Sequence, residues 1–401
     1  MVSFKIFLDQ LRRWSARYSL ALLIGILLMI SDLLGLPSSP VLFLLGLASA
    51  AYGMFDIGRR VYQDKRTLAL IYDQERLHGP IVAPYEHPYN SWSQFSLGPM
   101  HAVNNAMLDA RLASGRAIRI DRNEKIWKPG AQHVEELRRL ISLKLDSDER
   151  KIRLSSDLLP DTDVVRVQQT IYSAFRVTNR LGSYEIRQRG NSRELIDSAE
   201  ILLRAGRLPT LARSKCSNHL GVDVIAFTDG RIIIPKQAEK TGLSAGLLAP
   251  SGSGSVDWND LRDHDNLLIG LAGAMRREMS EELGLRPSQV PELHAVRVLG
   301  YVRMSHLGGK PQFFGVARLN VVREQVRGRE TRYVHDYRSI SFDPNRGIDD
   351  VVEAIRSFMD EYRPQISFPL YINLQIVLRW LTENQDAAGW LGISPRSEHP
   401  A

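Results

Sequence analysis

The sequence predicts an α/β protein, in which an N-terminal two-helix transmembrane hairpin precedes an α/β/α sandwich with an α+β extension. Three observations predict it. Two apolar stretches fill residues 18–36 and 41–57. Strand-like and helix-like segments interleave from about residue 221 onward, as in layered α/β folds. One helix in that part ends in three carboxylates that share a face.

The first stretch, YSLALLIGILLMISDLLGL, has about the length a helix needs to cross ~30 Å of hydrocarbon. Pro37-Ser-Ser-Pro40 breaks it, and VLFLLGLASAAYGMFDI follows. Arg12, Arg13 and Arg17 precede the first stretch, Arg59, Arg60, Lys65 and Arg66 follow the second, and the turn between has no basic residue. The positive-inside rule then places both termini in the cytoplasm and predicts a multi-pass membrane protein in contact with the lipid bilayer. Asp32 is an acid within or near the expected bilayer, and Gly46, Ala50 and Gly53 supply the small-residue spacing that lets helices approach. Residues 1–17 read as an amphipathic segment, with Phe4, Phe7, Leu8, Leu11 and Trp14 on one face.

With 401 residues, the chain has room for such an anchor and one large or two small domains. The net charge of +7 suits nucleic acid, an anionic lipid or a phosphate-rich ligand, and of these no nucleic-acid partner is expected. A single cysteine, Cys216, excludes an internal disulfide and any thiolate-cluster metal site. Residues 59–80 read as a juxtamembrane helix and 81–205 as an α+β extension, within which 81–99 read as a loop and 131–144 as an amphipathic helix. Residues 206–390 read as the second soluble domain, and 391–401 as a disordered tail.

Within residues 206–390, residues 222–228 and 231–236 read as strands joined by Asp229-Gly230, a strong hairpin signal. A small-residue loop, Ser251-Gly252-Ser253-Gly254-Ser255, follows, then a helix over 266–283. Strands at 295–304 and 312–319 and helices at 349–362 and 370–383 complete it. The most informative run is Arg277-Glu-Met-Ser-Glu-Glu-Leu-Gly-Leu285. Glu278, Glu281 and Glu282 stand at i, i+3 and i+4, and Gly284 ends the helix as a C′ glycine. Carboxylates so clustered repel unless a cation neutralises them, and oxygen-only ligation suits Mg²⁺ or Mn²⁺. Arg277 is placed to pair with Glu281. The glycines and serines of 251–255 let backbone N–H groups approach an anion, with Arg276 as a further ligand-binding candidate and Lys236, Lys240 and Arg303 as sources of charge.

This run resembles the C-terminal half of the Nudix box, G-x5-E-x7-R-E-U-x-E-E-x-G-U, in the Nudix superfamily. The resemblance covers residues 208–320 and implies a Nudix-like α/β/α sandwich with Glu278, Glu281 and Glu282 as metal ligands. It departs from the box at Asp263, which replaces the leading glycine, and at Ile269, which replaces the first glutamate. Two apolar spans with a degenerate box also resemble the membrane-Nudix effectors of CBASS antiphage systems. That resemblance implies a cyclic nucleotide ligand, a nucleotidyltransferase that makes it, and self-association that disrupts the inner membrane by pore formation. The alternative is a membrane-anchored, Mg-dependent hydrolase of a nucleoside diphosphate derivative such as ADP-ribose, with Glu281 as its catalytic residue. A tethered binding protein is a third possibility.

Overall fold

The computed structural model describes residues 44, 47–49, 51–55, 58, 69–72, 84–130, 132–142, 145, 147–181, 184–187, 201–238, 245–320 and 334–393. The chain divides into two compact units. One comprises residues 1–72, 136–148 and 185–197, and the other comprises 73–135, 149–184 and 198–401.

The strands, in chain order, are β1 (Ala69–Tyr72), β2 (Ser93–Leu97), β3 (Met100–Asn104), β4 (Arg119–Asn123), β5 (Arg150–Leu154), β6 (Val164–Ile171) and β7 (Tyr184–Arg187). Then come β8 (Gly221–Thr228), β9 (Arg231–Gln237), β10 (Gly252–Ser255), β11 (Val296–Met304), β12 (Lys310–Arg318) and β13 (Val334–Ser341). The helices are α1 (Ala106–Ala113), α2 (Gln132–Ser142), α3 (Tyr172–Arg176), α4 (Trp258–Arg262), α5 (Leu267–Glu282), α6 (Ile348–Glu361), α7 (Phe368–Glu383) and α8 (Ala387–Leu391).

The smaller unit corrects the membrane expectations. Among the described residues no helix is long and apolar enough to cross a membrane. The transmembrane hairpin, the pore-forming role and the multi-pass inner-membrane localisation are therefore not upheld. A span needs about 20 apolar helical residues, and the described helical residues near the second stretch are 44, 47–49, 51–55 and 58. The first stretch, including Asp32, lies outside the described residues, as do Gly46 and Ala50, whereas Gly53 is buried within the helical residues 51–55. Of residues 59–80, expected as a helix, the described residues 69–72 form strand β1, which pairs with β7, and the rest lie outside the described residues. In α2, buried Val134, Leu137 and Ile141 recur at helical spacing, and Arg138 and Asp148 form an ion pair at 3.6 Å.

The larger unit is built on an eight-stranded sheet of order β13-β9-β8-β12-β11-β3-β2, with β10 pairing β8 antiparallel. β12 runs parallel to β8, and β11 antiparallel to β12. Helices cover both faces, so every residue of β8 is buried, as expected for a central strand covered twice. The alternation of β8 divides its side chains. Val222, Val224 and Ala226 join the core beneath α5, while Ile225 and Phe227 join the core beneath α6 and α7. β9 repeats this, with Ile233 on the α5 side and Ile232 and Ile234 on the other. A bulge between Val298 and Gly300 shifts the phase of β11, so Val298 and Tyr301 face the α5 core while Leu299 and Val302 face the opposite one. A second, three-stranded sheet has the order β4-β6-β5.

Local signals explain the elements around the box. Asp229-Gly230 makes the tight β8–β9 turn, with Gly230 at φ 64°. α5 starts at Asn266, whose side chain accepts from Leu268 N at 3.1 Å. It stops at Gly284 (φ 63°), where Leu285 N donates to Ser280 O at 2.9 Å and Gly284 N to Glu281 O at 3.2 Å, the Schellman pattern. Two strands of the main sheet, β2 and β3, come from a region that reads as loop or carries no periodic signal. They join its edge through β3, which pairs with β11. The tail from residue 394 onward lies outside the described residues.

Candidate functional site

The acidic end of α5 lies against β10. The run 251–255, expected as a loop, is mostly strand, and its glycines face the helix. A Cβ on Gly252 would sit 2.5 Å from the backbone N and Cα of Met279, and one on Gly254 would run into the Glu278 carboxyl group. These glycines allow helix and strand to touch. The serines are already engaged. Ser251 Oγ accepts from Ala226 N at 2.7 Å and donates to Ile233 O at 2.5 Å. Ser253 N donates to Glu282 Oε1 at 3.1 Å, and Ser253 Oγ to Asp223 Oδ1 at 2.6 Å.

Arg277 dominates the electrostatics. Its Nε and Nη2 grip Asp260 at 3.2 and 2.8 Å in a fork, and Nη1 reaches Glu278 at 2.8 Å and Glu281 at 3.6 Å. Nη2 also meets Asp257 at 3.4 Å and donates to Ser255 O at 3.1 Å. Lys151 adds a second cation, bonded to Asp257 and, at 2.7 Å, to Glu149. Burial raises the Glu278 carboxyl to about 7, against the pull of Arg277. Burial works to lower the Arg277 pKa, but Asp260, Glu278 and Asp257 outweigh it and raise it.

The three box glutamates therefore do not converge on an empty point. Glu278 and Glu281 lie on a guanidinium, Glu281 being half-exposed, while Glu282 is buried and turned towards Ser253. Among the described residues no group of three or more His, Cys, Asp or Glu is arranged to hold a metal ion. Arg276 is half-buried on α5, and its carbonyl accepts from Ser280 Oγ at 2.6 Å. Ile269 is 40% exposed, and Asp263 caps the short helix α4.

Beneath β10 the structure reveals a polar cluster that sequence reasoning missed. Asp223 on β8 accepts from Ser253 and from Gln312 Nε2 at 2.6 Å, and Lys310 donates to Gln312 Oε1. Burial raises Asp223 to about 6, and burial lowers Lys310 to about 8 against the pull of Asp223. His219 is stacked on Phe175 with ring centroids 3.9 Å apart, and its pKa falls well below 6.5 through burial, then Lys310 and Lys151. Gly221 is required here, because any side chain would meet Gln312 and Lys310. The available signal was an acid inside the apolar run VDVIAF and the alternating Lys310 and Gln312 on a strand buried on both faces.

The other basic residues singled out from the sequence lie elsewhere. Arg303 is fully buried, with its guanidinium 4.6 Å from the Tyr89 ring centre and donating to Gly309 O at 2.9 Å and Pro209 O at 2.8 Å. That is a packing role, and the group is shielded from any ligand. Lys236 lies on β9, and Lys240 is outside the described residues.

Fold and site together define a mixed α/β protein with helices on both sheet faces and a carboxylate-rich helix end closed by an arginine. No family model matches the chain, and no curated protein does. The solved structure of the DR0079 protein from Deinococcus radiodurans is similar over 37% of this chain and 83% of that chain, at 15% identity and a TM-score of 0.23, too slight a likeness to carry an argument.

Proposed function

We propose that this chain is a Nudix-like nucleotide-binding protein that senses a cyclic nucleotide without hydrolysing it, as the resemblance to CBASS effectors implies. The reading assigns no step to a membrane. The observation that carries it is the Arg277 guanidinium, set 2.8 Å from Glu278 and 3.6 Å from Glu281. Glu278 and Glu281 are already paired with this cation, and Glu282 accepts from Ser253 N, so the acidic end holds α4, α5 and β10 together. Ile269, in place of the first box glutamate, removes a further acidic group from the same helix. The partner in this reading is a nucleotidyltransferase that supplies the cyclic nucleotide.

One observation favours the hydrolase alternative. The Glu278 carboxyl, raised to about 7 by burial, is poised where a general base works best at neutral pH. The two readings separate when the full chain is titrated with cyclic di- and trinucleotides and then incubated with ADP-ribose and Mg²⁺. Saturable cyclic nucleotide binding without turnover supports the sensor. Turnover of ADP-ribose that disappears in Glu278→Gln supports the hydrolase, and absence of any cyclic nucleotide binding overturns the sensor.

A further inference from the structure

A pocket of about 440 Å³ opens on the side of the sheet away from the box, between β2, α6 and α7. That volume falls within the roughly 300–1,000 Å³ typical of small-molecule sites. Three arginines line it. Arg356 comes from α6, Arg363 from the 3₁₀ turn that follows, and Arg379 from α7. Tyr371, Gln375 and Arg379 stand at i, i+4 and i+8, so one face of α7 supplies all three. Phe95 on β2 also lines it.

Arg379 is held in place from behind. It donates to Asn104 Oδ1 at 3.0 Å, meets Asp109 at 3.4 Å, and lies 5.9 Å from the Phe95 ring centre. Asn104 in turn donates to Asp109 at 2.8 Å, which also accepts from Tyr301 N at 3.0 Å. Arg356 and Arg363 are exposed, and among the described residues neither has an ion-pair partner. Asp360 is the single acid in the lining, so the wall carries an excess of positive charge. Guanidinium groups gathered around one concavity repel each other until an anion with several oxygens bridges them, and their forked donors suit phosphate. The rings of Tyr371 and Phe95 offer flat apolar surface, and the Gln375 amide offers both a donor and an acceptor.

We infer that this pocket binds a nucleoside phosphate, with the phosphoryl groups on Arg356, Arg363 and Arg379 and the base against Tyr371 and Gln375. The inference goes beyond the box-side reading and does not depend on it. ADP, inorganic pyrophosphate and adenosine, titrated calorimetrically into the full chain, provide the test. ADP is expected to bind saturably and more tightly than either fragment. Arg356→Ala and Arg363→Ala should each weaken ADP roughly tenfold, the loss of one charge-assisted contact. Tyr371→Ala should weaken ADP more than pyrophosphate. Both arginines are exposed, and unchanged melting temperatures would show that the variants fold. ADP binding that is absent, or that survives the Arg356→Ala/Arg363→Ala double variant unchanged, overturns the inference. Cyclic nucleotide binding retained by that double variant would leave the box-side reading standing.

Discussion

The two faces of the main sheet differ in how fully their arginines are matched. On the α5 face, Arg277 and Lys151 are matched to Asp257, Asp260, Glu278 and Glu149, Ser253 closes onto Asp223, and Ser251 onto the backbone. On the α6–α7 face, Arg356 and Arg363 stand exposed at a pocket with one carboxylate. The first arrangement satisfies itself and holds elements together. The second leaves donors for something that is not part of the chain. A motif that signals chemistry in sequence can thus serve packing, while a site without a motif carries the open charge.

The largest effect should come from Arg277→Ala, which strands several carboxylates around a vacated cation. A loss of about 3 kcal/mol in unfolding free energy is expected from broken, partly buried ion pairs. Denaturant midpoints would measure it, and a loss below 1 kcal/mol would show that the α5 face is not held by its charges. Gly252→Ala comes next, at about 2 kcal/mol, because the new methyl group meets the backbone of Met279, which cannot swing away. Gly254→Ala should cost less, since its obstacle is the end of the flexible Glu278 side chain.

A third prediction concerns pH and the support behind Arg379. Burial raises Asp109 from 3.8 to about 7, so between those values the folded chain keeps a proton that the unfolded chain has lost. Folding takes up that proton, and stability declines as pH rises through the window. Asp223 (about 6) and Glu278 (about 7) act in the same direction. Asp109→Asn should make the decline between pH 5 and pH 7 shallower by about 2 kcal/mol, as read from unfolding curves at both values. An unchanged slope would remove Asp109 from the account. The smallest effect is Tyr337→Phe, which deletes a 3.0 Å bond from its hydroxyl to Glu282 O at the end of α5 and should cost about 1 kcal/mol.

What the sequence disclosed follows from how local each signal is. The Gly284 stop, the Asn266 start and the Asp229-Gly230 turn depend on neighbours within a few residues, and all are in place. So is the Arg277–Glu281 pair, one helical turn apart. The grip of Arg277 on Asp260 joins two helices across a loop, and the Lys310–Gln312–Asp223 chain joins two strands that are far apart in sequence. The alternation of Lys310 and Gln312 marks polar positions on a buried strand, but no spacing names the partner of either contact. Ser251 to Ser255 misled because small residues mark both loops and close strand–helix contacts, and only the position of α5 distinguishes them. The arginine pocket escaped because its three arginines come from three elements, and Phe95 from a fourth, β2. The apolar stretches misled through hydropathy, which measures composition and not the length of a helix.

Titration of the full chain with Mg²⁺ and Mn²⁺, followed by thermal melting and calorimetry, tests most directly whether Arg277 already supplies the cation of the α5 end. The account predicts no saturable heat and no rise in melting temperature at millimolar metal. A metal-dependent stabilisation that disappears in both Glu278→Gln and Glu282→Gln would contradict it.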